Sequence, residues 1–300
     1  MGRATAPVTV GMPVYNAERY LPEAIESILA QTFGDFEFII SDNASTDGTE
    51  EICRSYADQD KRITYSRETE NLGAAHNFNR VFLMARSPYF KFAASDDACA
   101  PRFLEACLEA YHDASEDTVL CFPATIRMDE HSEPGGVVND LLDLRETQPH
   151  ARFRSFLRKY GLSNCFYGVL RSAAYGSTRL HKAYDSADVV LLGELALRGQ
   201  FWKLDEPLFL RRFHDRMSHR ANPTPASIRS WYDPSRRRSI AFPRAKMLFE
   251  FLRAIDTTPM STRERMRCRR ELAGVWLPGN WKGMIREAAA NVGISIPHRT

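Results

Sequence analysis

Two adjacent aspartates, Asp96 and Asp97, end a run of β-forming residues, "YFKFAAS" (89–95). Neighbouring side chains leaving a strand point in different directions, so the two do not ligate one ion symmetrically. One carboxylate can bind a hard divalent cation while the other accepts hydroxyl hydrogen bonds. Magnesium and manganese use one or two protein carboxylates and take their remaining oxygens from substrate phosphates and water. No Lys-containing P-loop accompanies the pair, so the chemistry suggested is a metal-bridged diphosphate. Three further polar clusters follow β-like runs: "PVYN" (13–16), "SDNASTDG" (41–48) and "ENLGAAHNFN" (70–79). Asp-Asn and Asp-Gly pairs are ordinary turn residues, and Asp and Ser are good helix N-caps. Turn chemistry alone has no need of adjacent acids at 96 and 97, and the joint placement of four clusters points to a nucleotide site.

The elements that must position these clusters recur with one period. Runs rich in β-formers cover 8–14, 36–42, 62–68, 89–95 and 119–125, their starts about 26 to 30 residues apart, the length of one βα unit. Between them apolar residues take helical spacing, as in Leu21, Ile25, Ile28 and Leu29, with Pro22 in the first turn. A second such run holds Phe103, Leu104, Cys107, Leu108 and Tyr111. The alternation predicts a mostly parallel, doubly wound α/β sheet flanked by helices, with ligands beyond the carboxyl ends of its strands. Residues 126–187 are less regular; helices are expected over 151–162 and 188–198, and a strand or hairpin over 201–213. "ANPTPAS" (221–227) reads as a linker. Beyond it Met247, Leu248, Phe251, Leu252 and Ile255 form an apolar stripe.

Composition bounds the class. At 300 residues, with 44% hydrophobic and 11% aromatic content, the chain is globular and can bury a large core. Six scattered cysteines form no CxxC pair, which argues against a zinc site or disulfide framework and suits a reducing compartment. The first ten residues carry no signal-like apolar core, and no segment approaches the ~18 apolar residues of a membrane span. A soluble, cytoplasmic protein is therefore expected. The net charge of +2 hides an asymmetry: residues 221–300 hold 15 Lys/Arg against 6 Asp/Glu, and residues 1–220 hold 25 against 32. A catalytic domain over 1–220 and a basic, mainly helical extension over 221–300 are expected. The extension has three readings: intramolecular packing, contact with a partner such as a second copy, and peripheral contact with an anionic membrane at its inner face. Nucleic acid is not expected, because no binding motif accompanies the charge.

The blocks "VTVGMPVYNAERYLPEAIESILAQTFGDFEFIISDNASTDGT", "NLGAAHNFNR" and "FKFAASDDA" occur in an order and with separations that resemble the family 2 glycosyltransferases, inverting enzymes of the GT-A fold. The resemblance covers roughly residues 7 to 215. It implies a UDP-, GDP- or dTDP-linked sugar donor and a divalent cation, Mn2+ or Mg2+. It also implies transfer to a hydroxyl of a glycan, a lipid-linked glycan or a small molecule. Carried over by position, Pro13, Tyr15 and Glu18 match the nucleotide-binding turn, Asp42 and Asn43 the position that reads base or ribose, and Asn71 and Gly73 the loop beside the nucleotide. Ser95, Asp96 and Asp97 match the metal motif, in which Asp97 holds the metal and Asp96 faces ribose or sugar. Asn77-Phe78-Asn79 stands where the family often shows Ala-Arg-Asn. Ala187-Asp188 matches the family's catalytic acid pair, which makes Asp188 the expected general base. Glu194 and Asp185 are its competitors. Arg212 and His214 match an Arg-x-His element that closes over the pyrophosphate, with His214 as a third metal ligand or phosphate contact and His219 on weaker grounds.

Three rival readings have local signatures. A dinucleotide-dependent oxidoreductase needs G-x-G-x-x-G, and "GMPVYN" holds one glycine. A metal-dependent nucleotide-sugar hydrolase or nucleotidyltransferase would also use Asp96 and Asp97, and a binding protein without catalysis would keep the turns alone.

Overall fold

The computed structural model describes every residue except 1–4, 139, 216, 218–220, 223, 237–241 and 292–300. Its N-terminal half follows the βα period. Strands β1 (Val8–Val14), β2 (Phe36–Asp42), β3 (Ile63–Arg67) and β4 (Tyr89–Phe92) run parallel in the order β3-β2-β1-β4. Helices α1 (Leu21–Leu29), α2 (Thr49–Gln59) and α3 (Ala74–Met84) connect them. In α1, Leu21, Ala24, Ile25 and Ile28 are buried, the face the spacing predicted. Register sets the site: Val14 lies opposite Asp42, and Asp42 opposite Arg67, so the turns after β1, β2 and β3 leave the sheet together.

The second half departs from a mostly parallel sheet. The short β5 (Ala98–Cys99) and α4 (Phe103–Asp113) lead to the long β6 (Thr118–Met128), which forms a hairpin with β7 (Pro134–Val138). Then come α5 (Pro149–Lys159), a 3-10 turn Asn164–Tyr167, β8 (Val169–Arg171), α6 (Ser172–Gly176), α7 (Ala187–Arg198) and β9 (Gln200–Arg212). β8 inserts antiparallel between β4 and β6, β9 runs parallel to β6, and β5 pairs antiparallel with β9. The sheet is therefore mixed, because β8 follows a hairpin and an irregular stretch instead of a right-handed βα crossover.

The C-terminal residues extend the core of the same body. α8 (Pro225–Tyr232), α9 (Pro243–Thr257), α10 (Thr262–Glu271) and α11 (Leu277–Asn291) follow β9, the last two joined through a π turn. Phe251 of α9 packs edge-on against Phe153 and Phe156 of α5, and Trp276 is buried beside it. A charged seam adds to the contact. Glu194 on α7 accepts from Arg179 at 3.0 Å and from Arg198 at 2.9 Å, while Arg179 also bonds Glu250 on α9. The apolar stripe of α9 is thus used intramolecularly. Part of "ANPTPAS" is not a linker but a helix start: the Thr224 hydroxyl accepts from Ser227 N at 3.0 Å, Ser227 Oγ accepts from Thr224 N, and Pro225 opens the helix, where its missing N–H costs nothing. The six cysteines are all buried and without disulfides.

Candidate active site

A cleft of about 780 Å³ opens at the carboxyl ends of β1, β2 and β4. Pro13, Tyr15, Asn43, Asn71, Asp96 and Asp97 contribute to its walls, as do Arg211, His214 and Trp231 from later in the chain.

The turn after β1 is stapled to the turn after β2. Asn16, at φ 49°, accepts from Thr46 N at 2.8 Å, and Ala17 N donates to Thr49 Oγ1 at 2.8 Å. Glu18 Oε2 accepts from Gly48 N at 2.7 Å, at the start of α2, where a carboxylate offsets the orphan amides and the helix dipole. Tyr15 is left 44% exposed at the cleft. Asp42 is brought elsewhere: it is fully buried and accepts from Ser45 N at 2.9 Å, Ser45 Oγ at 2.6 Å and Tyr65 Oη at 2.8 Å. Burial and this carboxylate raise the Tyr65 phenol. Asp42 therefore shapes the loop, and the neighbouring Asn43 lines the cleft. Asn43 donates to Asn71 Oδ1 at 2.8 Å and accepts from Leu72 N at 3.0 Å, tying the second turn to the third.

Gly73 caps α3 at φ 89°, and a Cβ there would sit 2.4 Å from the carbonyl oxygen of Tyr232. Only glycine permits both the backbone angle and this approach of α8. Asn77 is buried and donates to the carbonyls of Val14 and Ser41, closing the ends of β1 and β2. Arg80, one turn on, is bound to Ser41, Ser66 and Glu68, and Phe78 lines the cleft.

The acid pair splits as strand geometry requires. Asp96 keeps a side chain 36% exposed, with Oδ2 3.0 Å from His214 Nε2. Asp97 is buried and accepts from the Arg212 backbone N at 2.8 Å. Burial first, and then the charge of Asp96, push the Asp97 carboxyl up to about 8. His214 thus sits beside Asp96, the acid the resemblance assigned to ribose or sugar. Among the described residues no ready-made cluster of three or more His, Cys, Asp or Glu side chains is gathered for a metal ion. Two carboxylates and one imidazole still fit a cation that completes its shell with diphosphate oxygens, and the mutual repulsion of two adjacent acids favours one.

Arg212 borders the cleft, but its guanidinium is held by the protein itself. Its side chain is 1% exposed, and the guanidinium donates to Asp96 O at 2.8 Å, Asp129 O at 3.1 Å, Ser132 Oγ at 2.9 Å and Glu23 Oε2 at 2.5 Å. Arg19 and Arg211 also line the cleft, and Arg211 donates to Leu162 O at 2.6 Å and to Asn164 Oδ1. One residue along a strand decides which arginine is buried.

Asp188 lies in the first turn of α7, half-buried, and Ala187 before it is buried. Burial first, and then the Asp188 charge, raise the phenol of Tyr232 on α8. Asp185 accepts from Ser186 Oγ at 3.4 Å. Glu194 is turned into the Arg179–Arg198 seam and is 1% exposed, which removes it from the site. His219 lies outside the described residues. Sequence reasoning missed Arg211, Ser227, Ser230 and Trp231 as cleft residues. The Thr-Pro-x-Ser capping pattern before "IRSWY" was the signal that could have found the helix carrying the last three.

Fold and cleft together define an α/β protein with a polar, charge-lined cleft at the strand ends. Residues 9–172, more than half of the chain, match the family model described as glycosyl transferase family 2, and the chain belongs to that family. An uncharacterized glycosyltransferase of Methanocaldococcus jannaschii, MJ1057, is 38% identical over 126 residues, 41% of this chain and 43% of that protein. The abequosyltransferase RfbV of Salmonella typhimurium is 39% identical over 150 residues, 49% of this chain and 40% of that protein. The matches thus span less than half the length of these relatives. Among solved structures, residues 1–349 of S. aureus TarS in complex with UDP give a TM-score of 0.63 at 16% identity, covering 88% of this chain and 70% of that one. The mannosyltransferase PcManGT from Pyrobaculum calidifontis, in complex with GDP-Man and Mn2+, gives 0.58 at 15% identity, covering 97% and 75%. These likenesses are of fold, which is GT-A-like.

Proposed function

We propose that this chain is an inverting glycosyltransferase that moves a sugar from a nucleotide-diphosphate donor to an acceptor hydroxyl by direct displacement. The observation that carries the reading is the convergence of the turns after β1, β2 and β3 on one cleft that also holds Asp96, Asp97 and His214. The UDP bound to TarS and the GDP-Man and Mn2+ bound to PcManGT support it.

Tyr15, Asn43 and Asn71 would meet the nucleoside, with Glu18, Asp42 and Gly73 holding the turns that present them. Asp96, Asp97 and His214 would hold a Mn2+ or Mg2+ ion, which when bound neutralises charge on the departing diphosphate. Arg211 adds a fixed cation beside that group. Asp188 accepts the acceptor hydroxyl's proton as its oxygen bonds to the anomeric carbon and the bond to the diphosphate breaks on the opposite face. A carboxylate at a helix N-terminus is a weak base, which suffices because the hydroxyl becomes acidic only as the new bond forms. Among the described residues no helix is long and apolar enough to cross a membrane. A cytoplasmic location, with any membrane contact peripheral and through the basic extension, fits this reading.

The test is a thermal-shift panel of UDP-, GDP- and dTDP-sugars with manganese. The expected result is stabilisation by one nucleotide class that Asp97→Ala abolishes. No stabilisation by any nucleotide would sink the reading.

A further inference from the structure

The backbone that begins α10 at Thr262 stays helical through the π turn and α11 to Asn291, outside the segment matched by the family model. Its charges divide by face. All three of its acids turn toward the protein: Glu264 pairs with His150 and Arg267, Glu271 with Arg154, and Glu287 with Arg244. The outer face holds cations and apolar groups instead. Arg263, Met266, Arg270, Pro278, Trp281 and Ile285 are exposed, at spacings of three, four and eight residues. Steps of three and four keep one side of a helix, and the wider π turn takes up the extra residue between Arg270 and Pro278. Trp281 and Ile285, one turn apart, stand open to solvent, whereas Trp276 in the same helix is buried. Lys282 flanks the exposed indole, its Nζ 5.7 Å from the ring centroid. Arg269 is taken by Asp256 of α9, while Arg263, Arg270 and Lys282 have no ion-pair partner among the described residues.

An occupant of this face must bring negative charge over an extended surface and an apolar layer beneath it. A bilayer with anionic headgroups brings both: phosphates for the arginines and lysine, the headgroup level for an indole, and the acyl boundary for Ile285 and Met266. A second copy docked on the same face about a two-fold axis would set these cations against one another with no acid to meet them. Duplex nucleic acid would meet the cations and offer nothing to the isoleucine and methionine. We infer that the outer face of α10 and α11 is a membrane-docking surface that lies in the headgroup region of an anionic bilayer. The inference does not depend on the reading of the cleft.

The experiment sediments the chain with vesicles of phosphatidylcholine alone and with vesicles containing about one-third phosphatidylglycerol. Binding is expected to the second kind only, weakening by about tenfold or more as sodium chloride rises from about 0.1 to 0.5 M. Trp281→Ala should weaken it about tenfold, and Arg263→Gln combined with Arg270→Gln roughly twentyfold. Both variants should keep the wild-type Tm, because the replaced side chains are exposed. Tryptophan emission should shift to the blue on vesicles, and Trp281→Phe should remove that shift. The inference is overturned if anionic vesicles are not bound, or if these substitutions leave binding intact. It is equally overturned by a dimer in solution that Ile285→Arg disperses, or by duplex DNA bound as tightly as the vesicles and unaffected by Trp281→Ala. A chain that docks on vesicles as expected but binds no nucleotide would sink the reading of the cleft and leave this surface standing.

Discussion

Two adjacent arginines give the sharpest test of the site. Arg212 is the one a sequence pattern selects for phosphate, and the structure buries it with every guanidinium nitrogen bonded. Replacing it by Met strands the carbonyls of Asp96 and Asp129 and the hydroxyl of Ser132. At about 1 kcal/mol for each of these three arms, the loss is roughly 3 kcal/mol. The fourth arm, to a Glu23 side chain that is 41% exposed, adds little. About 3 kcal/mol is a large share of a typical 5–15 kcal/mol stability and corresponds to a Tm drop of roughly 6–12 °C. Arg211→Met removes a half-buried cation whose protein partners are one carbonyl and one side-chain amide. It should cost about 1 kcal/mol or less in stability while lowering affinity for the nucleoside diphosphate about tenfold. Urea unfolding followed by circular dichroism measures the first quantity, and titration calorimetry with UDP and GDP the second. The reasoning fails if Arg212→Met unfolds like the wild type but loses nucleotide binding, with Arg211→Met silent in both assays.

Gly73→Ala combines a φ of 89° with a Cβ placed 2.4 Å from Tyr232 O, so it should cost about 2 kcal/mol or more and displace α8, read as a red shift of Trp231 emission. An unshifted spectrum at wild-type stability would contradict the α3–α8 contact. Asp188→Asn should lower kcat about 10²-fold or more with little change in Tm, whereas Glu194→Gln, which breaks the buried Arg179–Arg198 seam, should lower Tm; the opposite pattern would exchange their roles. His181 is buried with both ring nitrogens unpartnered among the described residues, and burial pushes its pKa down to about 4. The unfolded chain, titrating near 6.5, then binds the extra proton between pH 6.5 and 4, so stability should fall by up to about 3 kcal/mol as pH drops through that window. His181→Phe should flatten this acid limb, and an unchanged slope would count against it.

Much of the fold was legible because local signals agreed with one another. β1 and β2 fall on the runs read for them, and α1 and α4 bury the apolar faces their spacing marks. The irregular stretch 126–187 gave no such agreement. The antiparallel entry of β8 is decided by long-range pairing with β4 and β6, and a three-residue strand is too short to carry a period. At the site, the clusters at Tyr15, Asn43, Asn71 and Asp96 were read as turns at strand ends, and they line the cleft.

By itself, the sequence determined the βα period, the turns at the strand ends, the acidic pair and hence an α/β class with its polar clusters at the strand ends. Those properties are local: a 3.6- or 2-residue period and turn chemistry are written in neighbouring residues. Only the tertiary structure decided that Asp42 and Arg212 are buried braces, that Arg211 and His214 face the cleft, and that α8 closes it with Trp231. A side chain's role there depends on what packs behind it, and those partners, Tyr65, Asp129, Ser132 and Gly73, stand from 23 to 159 residues away along the chain.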